Sequence, residues 1–169
     1  GGAITDSGTQ EIAGVTTLAA GSSNDITLNT STNNFAAAVV ITSGRNVAIT
    51  DEDAIDLGAA TVSGTYGITA GGAVTDTGTQ EIAGVTTISA SGQDVTLNTA
   101  TNNFADEVRI TGAAVTVVDE DTIDLGASTV SGTYTVTATT GGITDSGTQE
   151  ITGVTTLVAG SSNDITLNT

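Results

Sequence analysis

One feature constrains the fold of this chain more than any other: a unit of about 70 residues recurs along its whole length. The string TQEIAGVTT begins at Thr9 and again at Thr79, and TQEITGVTT begins at Thr148. Internal repeats of this size are typical of solenoids, in which each unit packs only against its neighbours. We therefore expect a single solenoid domain that is a segment of a longer repeat protein. Its repeats are residues 1–70, residues 71–140 and a partial third repeat, 141–169.

Length differences between the repeats are confined to segments rich in Gly, Ser and Asn. GSSND, from Gly21 to Asp25, corresponds to the shorter SGQD, from Ser91 to Asp94, while the apolar strings stay in step. The chain has no Pro and 22 Gly, and it is rich in Thr, Val and Ile, which favours strands joined by tight corners. With two Phe, two Tyr and no Trp or Met, its core must be narrow and mostly aliphatic. The sequence thus predicts an all-β fold.

Each unit divides further into about three coils. Aligning the first strand of successive coils, with a mean step of about 23 residues, gives a column in which every residue is aliphatic. That column is Ile4, Leu28, Ile49, Val74, Leu97, Val117, Ile143 and Leu167. A coil of this length holds three short strands and three corners, and parallel crossovers are right-handed. We expect a right-handed parallel β-helix, a β-solenoid with about three coils per 70-residue repeat.

Strand alternation predicts which side chains face the core. On the second and third faces of the coils we expect inward side chains at Ile12, Phe35, Ile55, Val15, Ile41 and Ile68. Between the inward positions of the first face lies an outward column, which is Ala3, Thr27, Ala48, Ala73, Thr96, Thr116, Gly142 and Thr166. The Thr pairs 16–17 and 86–87 are also expected to face solvent.

The charge of the chain excludes several classes of partner. Two Arg, no Lys and no His stand against 19 acidic residues, which gives a formal net charge of −17 at pH 7. Nucleic acids and anionic membrane surfaces are bound through clusters of Lys and Arg, so we expect neither partner. The sequence also contains no apolar run long enough for membrane insertion and no signal peptide. Without His, Lys or Cys for acid-base or nucleophilic roles, we expect no enzyme and no obligatory cofactor.

The most suggestive polar cluster is DEDAID, which returns as DEDTID. Its carboxylates at Asp51, Asp53, Asp119 and Asp121 are candidate calcium ligands, because Ca²⁺ takes six to eight oxygen ligands. The Gly and terminal Glu of an EF-hand loop are missing, however, and the calcium-binding nonapeptide of β-rolls does not occur. The favoured interpretation is therefore a solvated acidic corner, with no catalytic, cofactor or metal site.

The outward Thr residues suggest a second alternative, a surface that binds ice or glycan. Flat columns of Thr on a solenoid can bind ice, but Ala3, Ala48, Ala73 and Gly142 interrupt the predicted column. Thr is also simply a good strand former on an exposed face. A glycan site would usually offer aromatic walls, which this surface lacks.

The repeat strings resemble a known family. GGAITDSGTQEIAGVTTLAAGSSNDITLNT, followed by NNFAAAVVITSGRNVAITDEDAIDLGAATVSG, is similar to the repeat regions of large secreted bacterial adhesins of the filamentous haemagglutinin type. The resemblance covers the whole chain and implies export by two-partner secretion, a long right-handed β-helical rod and a place on the bacterial cell surface. It carries over no site residues.

Two classes of function follow from these observations. The first is a structural or adhesive rod, acting as a stiff shaft or as a self-assembling filament. Its partners are neighbouring repeats of the same protein and, in a filament, other copies joined end to end. The second is a binding module that uses its Thr-, Asn- and Asp-rich faces for ice, glycan or calcium-dependent adhesion. Near-identical units favour the rod, because a ligand site needs only one special place whereas a rod needs the same stacking throughout.

Overall fold

The computed structural model describes residues 1–168, and these residues form strands joined by turns and short loops, with no helix among them. In chain order the first twelve strands are β1 (Ile4–Thr5), β2 (Glu11–Ile12), β3 (Thr16–Ala19), β4 (Ile26–Leu28), β5 (Asn34–Phe35), β6 (Val39–Gly44), β7 (Val47–Asp51), β8 (Ile55–Val62), β9 (Tyr66–Ala70), β10 (Val74–Asp76), β11 (Gln80–Ile82) and β12 (Thr86–Ser89). The next eleven are β13 (Val95–Leu97), β14 (Asn103–Phe104), β15 (Val108–Gly112), β16 (Val115–Asp119), β17 (Ile123–Leu125), β18 (Ser128–Val130), β19 (Tyr134–Ala138), β20 (Ile143–Asp145), β21 (Gln149–Ile151), β22 (Thr155–Val158) and β23 (Ile165–Thr166).

Two long parallel sheets organise the described residues. The first sheet has 11 strands in the order β1-β4-β7-β9-β12-β15-β17-β20-β23, with β18 and β21 beside this path. The second has 10 strands in the order β14-β11-β8-β10-β13-β16-β19-β22, joined by β3 and β6, while β2 and β5 form a short third sheet. The chain passes between the two long sheets at each half-turn, so strands pair with those one turn before and after. The protein is a β-solenoid of about eight turns.

The strand registers set the length of a turn. Ile4 pairs with Ile26, Ile26 with Val47, and Val47 with Tyr66, so these turns take 22, 21 and 19 residues. Along the chain the turn length averages about 20 residues rather than the expected 23, and a 70-residue repeat spans about three and a half turns. The solenoid prediction is confirmed, with slightly shorter coils than the sequence alignment suggested.

The extra half-turn moves each repeat to the other sheet. Ile4 lies in the first sheet, its equivalent Val74 lies in the second, and Ile143 lies in the first again. Seven half-turns per repeat therefore display the same sequence alternately on two sides of the solenoid.

The predicted aliphatic column is consequently correct only in parts. Leu28 does pair with Ile49, and Leu97 pairs with Val117. Val74, however, pairs with Ile55 rather than with Ile49. The column residues from Leu28 to Ile143 are buried, Ile4 is half-buried, and Leu167, in the last turn, is 51% exposed. Sequence periodicity thus identified which side chains of the stacked strands face the core, but not the sheet in which each strand lies.

The core follows strand alternation. In β7, Val47, Ile49 and Asp51 are buried while Ala48 and Thr50 are half-buried. The largest fully buried side chains are Tyr66, Tyr134, Phe35, Phe104, Ile26, Ile41, Ile49, Ile55, Leu57, Ile68, Ile82 and Ile88. The inward predictions for Phe35, Ile41, Ile55 and Ile68 are thus confirmed, and Ile12 is half-buried against the core.

Two predictions about β3 and its equivalent β12 were wrong: Val15 was expected to face the core, and Thr16 and Thr86 were expected to face solvent. Val15 is 63% exposed, because it precedes the strand and has the parity opposite to Leu18, which packs into the core. Thr16 and its equivalent Thr86 share the parity of that leucine position and are buried, whereas their neighbours at 17 and 87 face solvent. A side chain with one hydroxyl therefore occupies a core position in each of the first two repeats.

Corner geometry agrees with the length differences between repeats. Gly21 and Gly92 have φ of 91° and 75°, in the left-handed region that glycine adopts without strain, and each lies in a corner whose length differs. Corners thus absorb the changes while the strands remain stacked. Within residues 1–168, no helix of sufficient length and apolarity to cross a membrane occurs.

Candidate functional site

The acidic corner after β7 was the candidate calcium site, and its central carboxylate is buried. Asp51 is 1% exposed. Its Oδ2 accepts a hydrogen bond from the backbone N–H of Phe35 at 2.9 Å, and its Oδ1 accepts one from the N–H of Asp53 at 2.9 Å. The first bond joins two successive turns, and the second closes the corner. Both oxygens therefore serve backbone donors that strand ladders leave unpaired.

The next repeat builds the same corner around Asp119, which is fully buried. Its Oδ2 accepts from the N–H of Phe104 at 2.8 Å, and its Oδ1 accepts from the N–H of Asp121 at 2.7 Å. Burial raises the pKa of the Asp119 carboxyl to about 6, against the lowering effect of these two N–H groups, and the nearby charges of Asp121 and Glu120 add to the rise. The carboxylate is thus held by the backbone in a site that disfavours its charge.

The outer aspartates of the two corners point to solvent. Asp53 accepts from the side-chain amide of Asn34 at 3.1 Å, and Asp121 accepts from the hydroxyl of Thr140 at 3.2 Å. Among residues 1–168, no three carboxylate or imidazole groups are grouped as a metal ion would need. Because Ca²⁺ needs six or more oxygens, this arrangement adds no support to the calcium hypothesis. The four aspartates act as corner residues.

We call a buried side chain that hydrogen-bonds two turns at a corner a corner staple, and Asp51 and Asp119 are staples of one kind. A second kind was not predicted from the sequence. Asn102 is fully buried, and its side-chain amide donates to Asp76 Oδ2 at 2.7 Å while its Oδ1 accepts from the N–H of Gln80 at 2.9 Å. Asn33 makes the equivalent bond to Asp6, also at 2.7 Å. The recurrence of the first Asn in TNNF, next to an inward Phe, was the available signal. Each of these amides links two turns inside the solenoid.

The outer face of the second sheet carries an uninterrupted column of Thr. In β10, β13, β16, β19 and β22, the registers place one Thr of each strand next to the Thr of the strand in the following turn. These residues are Thr75, Thr96, Thr116, Thr135 and Thr156. We call this the outer Thr column. Two residues further along the last three strands, a parallel column contains Val118, Thr137 and Val158.

The first sheet offers a natural comparison, because its equivalent column comes from the preceding repeat. That column reads Thr5, Thr27, Ala48, Gly67 and Thr87, and it ends beside Arg109. Ala48 and Gly67 stand where the outer Thr column has Thr116 and Thr135. The interruptions expected from the sequence are thus real on one sheet and absent from the other.

A family of repeats of unknown function (DUF5649) matches the chain over residues 1–42, 44–111 and 112–169. The chain belongs to this family. No curated protein and no solved structure matches it. The family units start at Gly44 and Gly112, the last residues of β6 and β15, so a DUF5649 unit is the same repeat counted from a different residue. Successive DUF5649 units therefore also alternate between the two sheets.

The only two cations of this DUF5649 chain are paired with neighbouring acids. Arg45 contacts Asp25 through two bonds of 2.8 and 2.9 Å, which lowers the pKa of that carboxyl to about 2. Arg109 contacts Glu107 through its Nη2. Both pairs are exposed, so each neutralises one acid on the surface and contributes little to stability.

Shallow grooves recur at one position of the DUF5649 repeat. One groove of about 300 Å³ lies over Ile82 and is bordered by Glu81 and Asn103, and an equivalent groove of about 290 Å³ lies beside Glu11 and Asn34. Their linings contain no aromatic ring. A carboxylate and an amide can bond a sugar hydroxyl, but open grooves without a stacking ring hold a glycan weakly.

Proposed function

We propose that this chain is part of the shaft of an extracellular bacterial surface protein, in which DUF5649 repeats form a stiff structural or adhesive rod. The observation that carries the proposal is the continuity of the parallel ladders, which run from β1 to β23 through both long sheets. The same buried hydrogen bonds between turns recur in both complete repeats, as a stack of near-identical units requires. The resemblance to filamentous haemagglutinin-type adhesins supports the location and the secretion route.

Dimensions follow from the strand spacing. At ~4.8 Å per turn, about eight turns make a rod about 38 Å long, and each further repeat adds about 17 Å. Backbone hydrogen bonds run along the axis of this rod, so bending or stretching it would break many bonds together. This geometry suits a protein part that holds a distal domain away from the cell.

The partners we propose for the shaft are further repeats of the same kind, in the same chain or joined end to end. Leu157 is half-buried and Val158 is 47% exposed in β22, whereas Ile88, the equivalent of Leu157 in β12, is 1% exposed beneath the next turn. A stacked turn would cover these aliphatic side chains and pair the open strand edge. A shaft within one chain and a filament of several chains would therefore both form by stacking one turn on the next.

The rod proposal can be tested with purified chains that carry two, three and four repeats. We expect the long dimension from small-angle X-ray scattering to rise by about 17 Å per repeat at constant cross-section. Antibodies against the repeat should label intact bacteria that produce the native protein. A cross-section that grows with repeat number, or labelling only after cell lysis, would contradict the shaft or its location respectively.

The outer Thr column favours a second candidate function, binding to ice. Its hydroxyl and methyl groups repeat every ~4.8 Å from strand to strand, a spacing close to a repeat distance of ordinary ice. Beside it, the parallel column adds the methyl groups of Val118 and Val158 and one further Thr, Thr137. The five Thr of the column are uncharged, and the column begins beside Asp56, the register partner of Thr75. A row of hydroxyl and methyl groups at this spacing can order water. Such a surface needs neither the charged groups nor the aromatic rings with which proteins bind other classes of ligand.

The two sheets provide a matched test of this candidate. Replacing Thr116→Ala and Thr135→Gly converts the second sheet to the pattern of the first, and we expect it to abolish inhibition of ice recrystallisation. Ala48→Thr and Gly67→Thr should add a second active face, since a Cβ at Gly67 meets only the Val47 carbonyl oxygen, at 3.6 Å. Unchanged activity in both variants, or no activity in the parent chain, would reject ice binding and leave the rod proposal intact.

A further inference from the structure

Three buried polar side chains lie close together in sequence, between residues 66 and 86, and each carries an unpaired polar atom. Tyr66, Gln80 and Thr86 are at most 1% exposed. The Tyr66 hydroxyl, the Gln80 Oε1 and the Thr86 Oγ1 have no hydrogen-bond partner among the described residues. Tyr66 and Thr86 are register partners on adjacent strands, β9 and β12. Such groups are rare in a native core, because each one forfeits its hydrogen bond to water.

The orientation of Gln80 is fixed by its other end. Its Nε2 donates to the carbonyl oxygens of Gly58 at 2.8 Å and Gly78 at 2.7 Å. Those two acceptors require the NH₂ group on that side, so Oε1 is the atom that is left without a partner. The Tyr66 hydroxyl is a donor throughout the physiological range, since burial raises its pKa, with a smaller contribution from the charge of Asp76.

A similar arrangement recurs one repeat later. Tyr134, Gln149 and Thr155 occupy the equivalent positions and line one cavity of about 310 Å³, so the three side chains surround a common space. In these last turns the cavity is more open, since Thr155 is exposed and Gln149 is half-buried. The Gln149 Oε1 again lacks a partner within residues 1–168, whereas the Tyr134 hydroxyl lies within reach of the Ser128 side chain. The Gln149 amide again donates to two glycine carbonyls, at 2.7 Å each. Recurrence in two repeats, in different sheets, marks a built feature of the fold.

We infer that each of these two sites holds one ordered water molecule, bonded to the Tyr hydroxyl, the Gln Oε1 and the Thr hydroxyl. Water fits the site because it can donate to Gln Oε1, accept from the tyrosine and exchange a bond with the threonine. Buried waters typically make about three hydrogen bonds to otherwise unpaired groups. Tyr66 and Thr86 are register partners on successive turns of the solenoid. The water therefore joins two successive turns and fixes the stacking register between them.

The test uses the whole chain with Tyr66→Phe and Thr86→Val, separately and together. Oxygen-17 magnetic relaxation dispersion counts long-lived internal waters, and we expect each single variant to lose one of them. The double variant should lose the same one and no more. Thr16→Val is the matched control, because the Thr16 Oγ1 is likewise without a partner among the described residues, but its register partner is Val39 rather than a tyrosine.

Denaturation provides the second measurement. If the water is present, Tyr66→Phe lowers the unfolding midpoint, and the effects of Tyr66→Phe and Thr86→Val are non-additive, while Tyr66→Phe and Thr16→Val add independently. An unchanged water count together with a raised midpoint for Tyr66→Phe would show that the site is dry, with an unpaired hydroxyl, and would overturn the inference.

Discussion

At the level of single residues, a small number of inward side chains fills the narrow core of the solenoid and stabilises it. Phe35 is 1% exposed, and its own backbone N–H is held by the buried carboxylate of Asp51. Its neighbour Asn34 points outward and bonds the solvent-facing Asp53. Adjacent residues of one short strand thus have opposite roles, which the alternation of β-strands requires.

We expect Phe35→Asp to destabilise the chain by about 3–5 kcal/mol, because an unpaired carboxylate would replace a ring in an apolar core. Asn34→Ala should change stability by no more than about 0.5 kcal/mol, as is usual for surface positions. Urea denaturation of both variants measures the difference. Equal midpoints would show that the side chain of Phe35 does not carry the packing that its burial indicates.

The buried Asp119 gives the chain a specific dependence on pH. Its folded pKa of about 6 is above the ordinary aspartate value, so the folded state binds the proton more tightly than the unfolded state does. Its contribution to stability is therefore fully present below about pH 4 and is lost as pH rises through about 6. Protonation of this group favours folding.

We expect the urea midpoint of the wild-type chain to fall between pH 4 and pH 6.5. Asp119→Asn should be less stable at both pH values, because an amide offers only one acceptor oxygen to two backbone donors, and its midpoint should change less over this range. Asp121→Asn, at the exposed end of the same corner, is the control and should keep the wild-type slope. Parallel slopes for Asp119→Asn and wild type would assign the pH dependence to other carboxylates.

At the level of strands and corners, the sequence predicts well which side chains of a strand face the core. It predicts poorly to which of the two long sheets that strand belongs. Apolar strings such as VAIT and DITL alternate clearly, so inward residues could be assigned from the chain alone. The turn length could not, because corners differ in length and each one shifts the next strand. An error of two or three residues per turn accumulated into the half-turn that separates Val74 from the column of Ile4.

The polar staples were hard to predict for a related reason. Asn and Asp are common in exposed corners, and composition alone favours that location for them. Their burial in this chain depends on which backbone groups the neighbouring turn leaves unpaired, which is known only once the register is known. Thr86 was misjudged in the same way, since a Thr that follows a Val was assigned to the outer face.

The two Asn of TNNF give a direct test of the staples. Asn102→Ala removes the bond to Asp76 and leaves the backbone N–H of Gln80 without an acceptor, so we expect a loss of about 2–3 kcal/mol. Asn103→Ala, one residue further along at a half-buried outward position, should cost less than about 0.5 kcal/mol. Chemical denaturation of both variants measures the contrast. Similar losses would mean that the amide of Asn102 is not a staple.

At the level of the whole molecule, alternation of the repeats distributes charge as well as sequence. Equivalent acidic corners, such as those of Asp51 and Asp119, lie about three and a half turns apart, or about 17 Å along the axis. This exceeds the Debye length of about 8 Å at physiological salt, so repulsion between them is screened. A net charge of −17 is therefore compatible with a regular stack, and it keeps the sides of neighbouring rods apart.

Stability should rise with the number of repeats. In a nearest-neighbour stack every added repeat brings about three and a half new turn-to-turn interfaces, whereas the cost of two frayed ends stays constant. We expect the melting temperature to increase from two to three to four repeats, with the largest step first. Melting at several matched protein concentrations separates this intrinsic effect from end-to-end association, which alone would make the melting temperature concentration-dependent.

Melting the same chains with and without a chelator then tests calcium binding directly. Because Asp51 and Asp119 already bond backbone N–H groups with both oxygens, the chelator should leave every melting temperature unchanged. A melting temperature independent of length would contradict nearest-neighbour stacking, and a large drop with chelator would restore Asp53 and Asp121 as calcium ligands.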